Sequence, residues 1–77
     1  MSVKYKFSSK LFHARTKHGL TQQKVAESVS ISERWYQRLE KGENLPSALV
    51  MLRLILLLDI DIEDLREEVG LIDVPLS

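Results

Sequence analysis

The sequence predicts an all-α domain of five short helices, on three observations. Residues that favour helix N-termini recur at short intervals, each ahead of apolar residues with helical spacing. No stretch alternates cleanly between apolar and polar residues, apart from the short run Val3, Tyr5 and Phe7, so no strand is predicted. The chain has 77 residues and no cysteine, which limits it to about one domain without disulfides or thiolate metal sites.

Each helix is predicted from its start, its end or both. The helices are expected at about 9–18, 22–29, 33–41, 47–58 and 62–69. The residues that begin them are Ser8 or Ser9, Thr21, Ser32, Pro46 with Ser47, and Asp61. Gly19, Gly42 and Gly70 follow the first, third and fifth helices, where glycine readily takes the left-handed conformation that ends a helix.

Charge divides the chain into two halves, although the formal net charge is zero. Residues 1–41 carry nine basic and three acidic side chains, a charge of +6, and residues 42–77 carry two and eight, a charge of −6. Such segregation favours a polyanion partner for the first half, with a solvated surface of chance composition as the alternative. We expect a basic N-terminal arm (1–8), a helical domain (9–69) and an apolar C-terminal tail (70–77).

The second and third helices, over about 21–40, are joined by a tight turn in the layout of a helix-turn-helix. From Leu11 to Leu65 the chain resembles the lambda-repressor-like family, also called the Xre or Cro type. The matching residues are Arg15, Gly19, Leu20, Thr21, Gln22, Val25, Ala26, Ile31, Ser32, Glu40, Gly42 and Pro46. The resemblance implies a compact five-helix lambda-repressor-like bundle in a bacterial or phage regulator of transcription, a repressor, that binds double-stranded DNA.

Four polar residues of the third helix correspond to the family's base-contacting positions: Glu33, Arg34, Gln37 and Arg38. Their chemistry suits the role, since arginine pairs with guanine, glutamine with adenine, and glutamate accepts from cytosine N4. The resemblance and the helix starts also predict contacts to the DNA backbone, from Thr21, Gln22, Ser32, Lys10, Lys41 and Asn44. Solvated surface remains the alternative for the four residues of the third helix and for Lys10, Lys41 and Asn44. Thr21 and Ser32 are expected to cap their helices in either case, and phosphate binding would be additional.

Four other residues carry separate expectations. The resemblance puts Arg15 and Glu40 in a partly buried ion pair between the first and third helices. Trp35 stands where the family usually has a small polar residue, so both packing and DNA contact stay open for it. Ser30 stands at a turn position that is usually glycine, and serine would be strained there if the turn needs a positive φ.

The predicted fourth helix carries a second apolar stripe on the side away from its core-facing residues. With the tail, this stripe forms an expected homodimer interface: Leu49, Leu52, Leu56, Leu71, Ile72 and Val74. Alternatively, the tail covers the stripe within one chain. A dimer would present two recognition helices about 34 Å apart, one turn of DNA.

The main functional prediction is a cytoplasmic DNA-binding regulator without cofactor, metal site or enzymatic activity. No glycine-rich phosphate loop, nucleophile set or metal-ligand spacing occurs, and the apolar run Leu54–Leu58 is too short to span a bilayer. Two alternatives remain. One is a protein-interaction module, such as an antitoxin or an anti-repressor partner, that uses the C-terminal apolar surface. The other, which is a subclass of the main prediction, is a restriction-modification controller protein.

Overall fold

The computed structural model of the chain describes residues 2–71. It contains four α-helices and one turn of 3-10 helix: α1 (Val3–Lys17), α2 (Gln22–Ser28), α3 (Glu33–Glu40), α4 (Ala48–Leu58) and the 3-10 turn (Glu63–Leu65). Within residues 2–71 there is no strand. The all-α prediction is therefore confirmed, and α2, α3 and α4 begin and end within one residue of the predicted bounds.

The predicted start of the first helix at Ser9 is wrong, because α1 begins six residues earlier. Ser2 is its N-cap and accepts a hydrogen bond from the Tyr5 backbone N–H. Phe7 and Leu11, one helical turn apart, are 2% and 0% exposed, so the helix buries an apolar face that continues towards its N-terminus. Residues 3–8, predicted to lie in a basic arm, are thus helical.

The prediction of a fifth α-helix over 62–69 is also wrong. Asp61 does act at its start, where Oδ1 accepts from the Glu63 N–H at 3.0 Å, but only a 3-10 turn follows. Leu65 is buried, whereas Val69 is 54% exposed, so the segment does not bury a continuous apolar face. A helix this short depends on tertiary packing, and with one buried leucine residues 66–70 form hydrogen-bonded turns rather than a regular helix.

The hydrophobic core lies between α1, α3 and α4, with α2 packed on α3. Its buried side chains are Phe7, Leu11, Val25, Ala26, Val29, Tyr36, Leu39, Leu54, Leu58, Ile60 and Leu65. Every helix contributes, so that α3 is fixed along its inner side by Tyr36 and Leu39 while its outer side is left open. This packing gives α3 a defined orientation on a rigid base.

Gly42 ends α3 where the chain passes close to α1. Its φ is +77°, and a Cβ there would lie 3.2 Å from the Ser8 Oγ. Ser8 is itself buried and donates a hydrogen bond to the Tyr5 carbonyl. Glycine is thus needed at position 42 for both conformation and space, which holds the end of α3 against α1.

Candidate nucleic-acid interface

The turn between α2 and α3 is tight and left-handed. Ser30 has φ +64°, and the Ile31 N–H donates to the Ala26 carbonyl at 3.0 Å. The turn therefore requires a positive φ at this position, and Ser30 adopts it although it is not glycine. The turn brings the N-terminus of α3 out to the surface.

Side-chain caps at both helix starts fix the local geometry of the motif. Thr21 Oγ1 accepts from the Lys24 N–H and Ser32 Oγ accepts from the Trp35 N–H, each at 3.1 Å. In each case the hydroxyl hydrogen remains able to donate. Both residues are exposed, so a phosphate oxygen could reach these hydroxyls and the free N–H groups of the first helical turns.

The outer side of α3 carries the four residues predicted to contact bases. Glu33, Arg34 and Arg38 are exposed and Gln37 is half-buried. Within residues 2–71, neither Arg34 nor Arg38 forms a hydrogen bond or ion pair. Two guanidinium groups one turn apart are therefore unpaired on the open side of the helix, where an anionic partner would meet them first.

Arg15 and Glu40 form a bidentate ion pair between α1 and α3. Arg15 Nε donates to Glu40 Oε2, and Arg15 Nη2 donates to Glu40 Oε1 at 3.1 Å. The two side chains are 13% and 6% exposed. Arg15 Nη1 also donates to the Leu20 carbonyl at 2.9 Å, which ties the pair to the segment leading into α2. The ion pair therefore joins α1, α3 and the segment that leads into α2.

A chain of amides extends from this pair towards the outer side of α3. Gln22 Nε2 donates to Glu40 Oε1 at 3.1 Å, and Gln37 Nε2 donates to Gln22 Oε1 at 3.4 Å. Gln22, at the start of α2, thus lies between the buried carboxylate and the predicted base-reading glutamine. With its NH2 group directed at Gln22, Gln37 has its Oε1 available as an acceptor.

Electrostatics within this network favour its charged forms. Burial alone would raise the pKa of Glu40, but the hydrogen bonds from Arg15 and Gln22 outweigh burial and hold that pKa below its usual value. The hydrogen bond to Glu40 raises the pKa of Arg15. Tyr36 lies fully buried beside them, and burial, with the nearby Glu40 carboxylate, raises the pKa of its phenol. The pair is therefore ionised and the phenol neutral at neutral pH.

Of the predicted backbone contacts outside the two helix starts, Lys41 and Asn44 lie exposed just after α3. Lys10 differs from them, because its Nζ is 2.7 Å from Asp64 Oδ1 in the 3-10 turn. The ammonium group thus has an intramolecular partner. A DNA contact by any of the three stays a prediction.

Sequence reasoning missed several polar links to the C-terminal half. Lys6 Nζ lies 2.9 Å from Glu68 Oε1, and Arg53 Nη1 donates to the Val29 carbonyl at 3.3 Å. His18 is exposed, and its Nε2 lies 2.9 Å from the Leu58 carbonyl oxygen. Of these contacts, only that of Arg53 had a signal in the sequence, because Arg53 is the only charged residue in the otherwise apolar α4.

The outer side of α4 is apolar, and no residue within 2–71 covers it. Leu49 and Leu52 are each 57% exposed, Leu56 is 81% exposed and Leu71 is 58% exposed. Ile72 and Val74, the other predicted interface residues, lie outside the described residues. No helix within residues 2–71 combines the length and apolar character needed to cross a bilayer.

Comparisons with known proteins agree with this architecture. The chain matches the family model described as "Helix-turn-helix" over residues 11–65. The restriction-modification controller protein C.AhdI from Aeromonas hydrophila is 30% identical, with a TM-score of 0.69 over 79% of this chain and 92% of that one. The clp gene regulator ClgR from Corynebacterium glutamicum has a TM-score of 0.72 at 22% identity, over 84% and 69%, and shows the fold alone. No curated protein matches by sequence.

Proposed function

We propose that the chain, which belongs to the helix-turn-helix family of DNA-binding transcriptional regulators, reads duplex DNA in the major groove with α3. We also propose that it represses transcription. The observation that carries this proposal is the pair of unpaired guanidinium groups on the outer side of α3. Arg34 and Arg38 are one helical turn apart, and the inner side of the same helix is fixed by the core.

Each proposed base contact has a distinct chemistry. Arg34 and Arg38 can each donate two parallel hydrogen bonds to guanine N7 and O6. Gln37 accepts from adenine through its available Oε1 while Gln22 holds its amide. Glu33, exposed in the first turn of α3, accepts from cytosine N4 or orients a neighbouring side chain. The support from Arg15 and Glu40 matters because a base reader gains affinity when its rotamer is already fixed.

The proposed backbone contacts surround this surface. Thr21, Gln22 and Ser32 lie at helix starts, where N–H groups and the helix dipole favour phosphate. Lys41 and Asn44 follow α3 and extend the contact along the strand. We include Lys10 as well, with the condition that DNA must compete with Asp64 for its ammonium group.

Selection of bound fragments from random duplex DNA, followed by anisotropy titration of a labelled selected site, tests this proposal. Arg34→Ala and Arg38→Ala should each weaken specific binding by about 1–3 kcal/mol, with the helical circular dichroism unchanged. Arg66→Ala in the C-terminal turn is the matched control, since it removes the same charge away from α3. Equal affinity in all four proteins would contradict the assignment of α3 as the reading helix.

Repression is the proposed consequence of binding. A protein that occupies an operator with a rigid compact domain excludes other proteins from the same DNA. A reporter gene placed behind the selected site should lose expression when the protein is present and regain it with Arg34→Ala. Increased expression with the wild-type protein would instead indicate activation.

We further propose that the protein acts as a homodimer through the apolar stripe of α4, formed by Leu49, Leu52 and Leu56, together with Leu71, Ile72 and Val74 of the tail. Three leucines that are more than half exposed on one helix side are a costly surface for a monomer in water. A two-fold dimer would place two copies of α3 against successive turns of the duplex.

A protein-interaction module is the alternative function, and the same apolar stripe supports it. The two functions differ in salt dependence, because phosphate contacts release counterions and hydrophobic contacts do not. Association with a protein that persists at high salt, with no binding to any selected duplex, would favour the module. A role as a restriction-modification controller is a subclass of the main proposal, supported by the similarity to C.AhdI.

A further inference from the structure

A cleft of about 210 Å³ lies along one flank of α3. Ser32, Arg34, Trp35 and Arg38 line it. Trp35 is half-buried and packs against the hydrophobic core, so one part of its indole is fixed while another part forms the wall of the cleft. Within residues 2–71, the indole N–H has no hydrogen-bond partner. The cleft therefore combines an apolar wall, one free neutral donor and two free cations.

The position of Trp35 around the helix places it at one edge of the surface that the proposed base readers form. At about 100° per residue, Trp35 lies about 60° from Arg38 and about 160° from Gln37. By the same geometry Arg34 and Arg38 lie about 100–160° from Tyr36 and Leu39, whereas Trp35 lies about 40° from Leu39, at the border between the open side and the core. A helix in the major groove touches bases with its open side and meets the strands of the duplex with its flanks.

We propose that this cleft binds the sugar–phosphate backbone of one DNA strand, with Trp35 as the contact residue. The indole face packs on a deoxyribose, its N–H donates to a phosphate oxygen, and Arg34 and Arg38 supply the positive charge that attracts the phosphate. Trp35 thus has two roles, anchoring α3 in the core and setting its depth against the duplex. This inference rests on the proposed function, because it deepens the same interface.

Trp35 is the only tryptophan in the chain, so emission excited at wavelengths that the two tyrosines do not absorb reports on the cleft alone. In a titration with the selected duplex, its emission should change to saturation with the same Kd that anisotropy of labelled DNA gives. Bound duplex should also protect it from quenching by acrylamide. These measurements use the unaltered protein and do not depend on the folding of any variant.

Trp35→Phe should then lower affinity about fivefold, the size expected for the loss of one neutral hydrogen bond, and by the same factor on selected and scrambled duplexes. Tyr5→Phe is the matched control, since it removes one donor from an exposed aromatic on α1 and should leave affinity unchanged. Replacing thymine by uracil in the site removes base methyl groups. Wild type and Trp35→Phe should respond to that replacement equally.

The outcomes separate this inference from the function on which it rests. Saturable anisotropy with unchanged tryptophan emission would overturn the backbone role of Trp35 and leave the DNA-binding function standing. A uracil response that disappears in Trp35→Phe would overturn it too, because Trp35 would then contact a base. Absence of binding to every duplex by anisotropy would overturn the proposed function itself.

Discussion

At the scale of the residue, Ser30 has a backbone conformation that is strained by the tight turn between α2 and α3. A non-glycine residue with φ near +64° brings its Cβ close to the backbone, at a cost of about 1–2 kcal/mol. The tight turn from α2 into α3 imposes this conformation, and the hydrogen bond from Ile31 N–H to the Ala26 carbonyl keeps it. The motif therefore carries strain next to the start of α3.

Ser30→Gly should stabilise the protein by about 0.5–1 kcal/mol. Relief of the left-handed strain exceeds the extra backbone entropy that glycine loses on folding, which is about 0.5–1 kcal/mol. Urea unfolding followed by circular dichroism measures the change. Ser28→Gly, in the helical conformation of α2, is the control and should destabilise by about as much. A lower urea midpoint for Ser30→Gly than for wild type would contradict the strain argument.

At the scale of the element, the helices with a strong local start signal were predictable. Thr21, Ser32 and Ser47 each cap their helix through the side chain, and the polar-to-apolar pattern after them is unambiguous. The start of α1 was not predictable from caps, because Ser2, Ser8 and Ser9 are all competent and only burial of Phe7 favours the first. The fifth helix was wrongly predicted for the same reason, because packing and not the local start signal decides whether this segment becomes a regular helix.

The stripe on α4 gives a prediction at this scale. Leu52→Glu should convert the proposed dimer to monomer, raising the dimer dissociation constant at least tenfold, because it places a charge in a buried apolar interface. Leu52 is 57% exposed in the single chain, so the fold should survive. Sedimentation at micromolar concentration measures the mass, and Tyr5→Gln, at a site 59% exposed on α1, is the control. A single 8.9 kDa species for the wild type would refute the dimer.

At the scale of the whole molecule, folding brings some basic residues of the first half of the chain next to acidic residues of the second half. Lys6 and Lys10 of the basic half pair with Glu68 and Asp64 of the acidic half. These pairs join the start of α1 to the C-terminal turn, whereas Arg34 and Arg38 remain unpaired within residues 2–71. The sequence predicted the segregation of charge, but which cations stay free depends on contacts about 60 residues apart, which no local pattern encodes.

The same pairs make stability depend on acid pH. The hydrogen bond from Lys10 lowers the pKa of Asp64, that from Lys6 lowers the pKa of Glu68, and the pKa of Glu40 is also below its usual value. When the pKa of a carboxyl group is lower in the folded state than in the unfolded chain, falling pH protonates the unfolded chain first and so favours unfolding. Its contribution is therefore complete above the unfolded pKa of about 4.3 and is lost as pH falls through the folded value.

The free energy of unfolding should thus be nearly constant from pH 7 to about 5 and fall steadily towards pH 3. Glu40→Gln should cost about 3 kcal/mol at pH 7, because it leaves Arg15 buried without its carboxylate, and should make the acid loss shallower. The double variant Asp64→Asn, Glu68→Gln, at the more exposed pairs, should change stability little at pH 7 and should flatten the acid loss by the same small amount. Urea unfolding at a series of pH values tests all three proteins. Parallel curves would mean that other carboxylates govern the acid response, and that the contacts between the two halves of the chain carry little of the fold's stability.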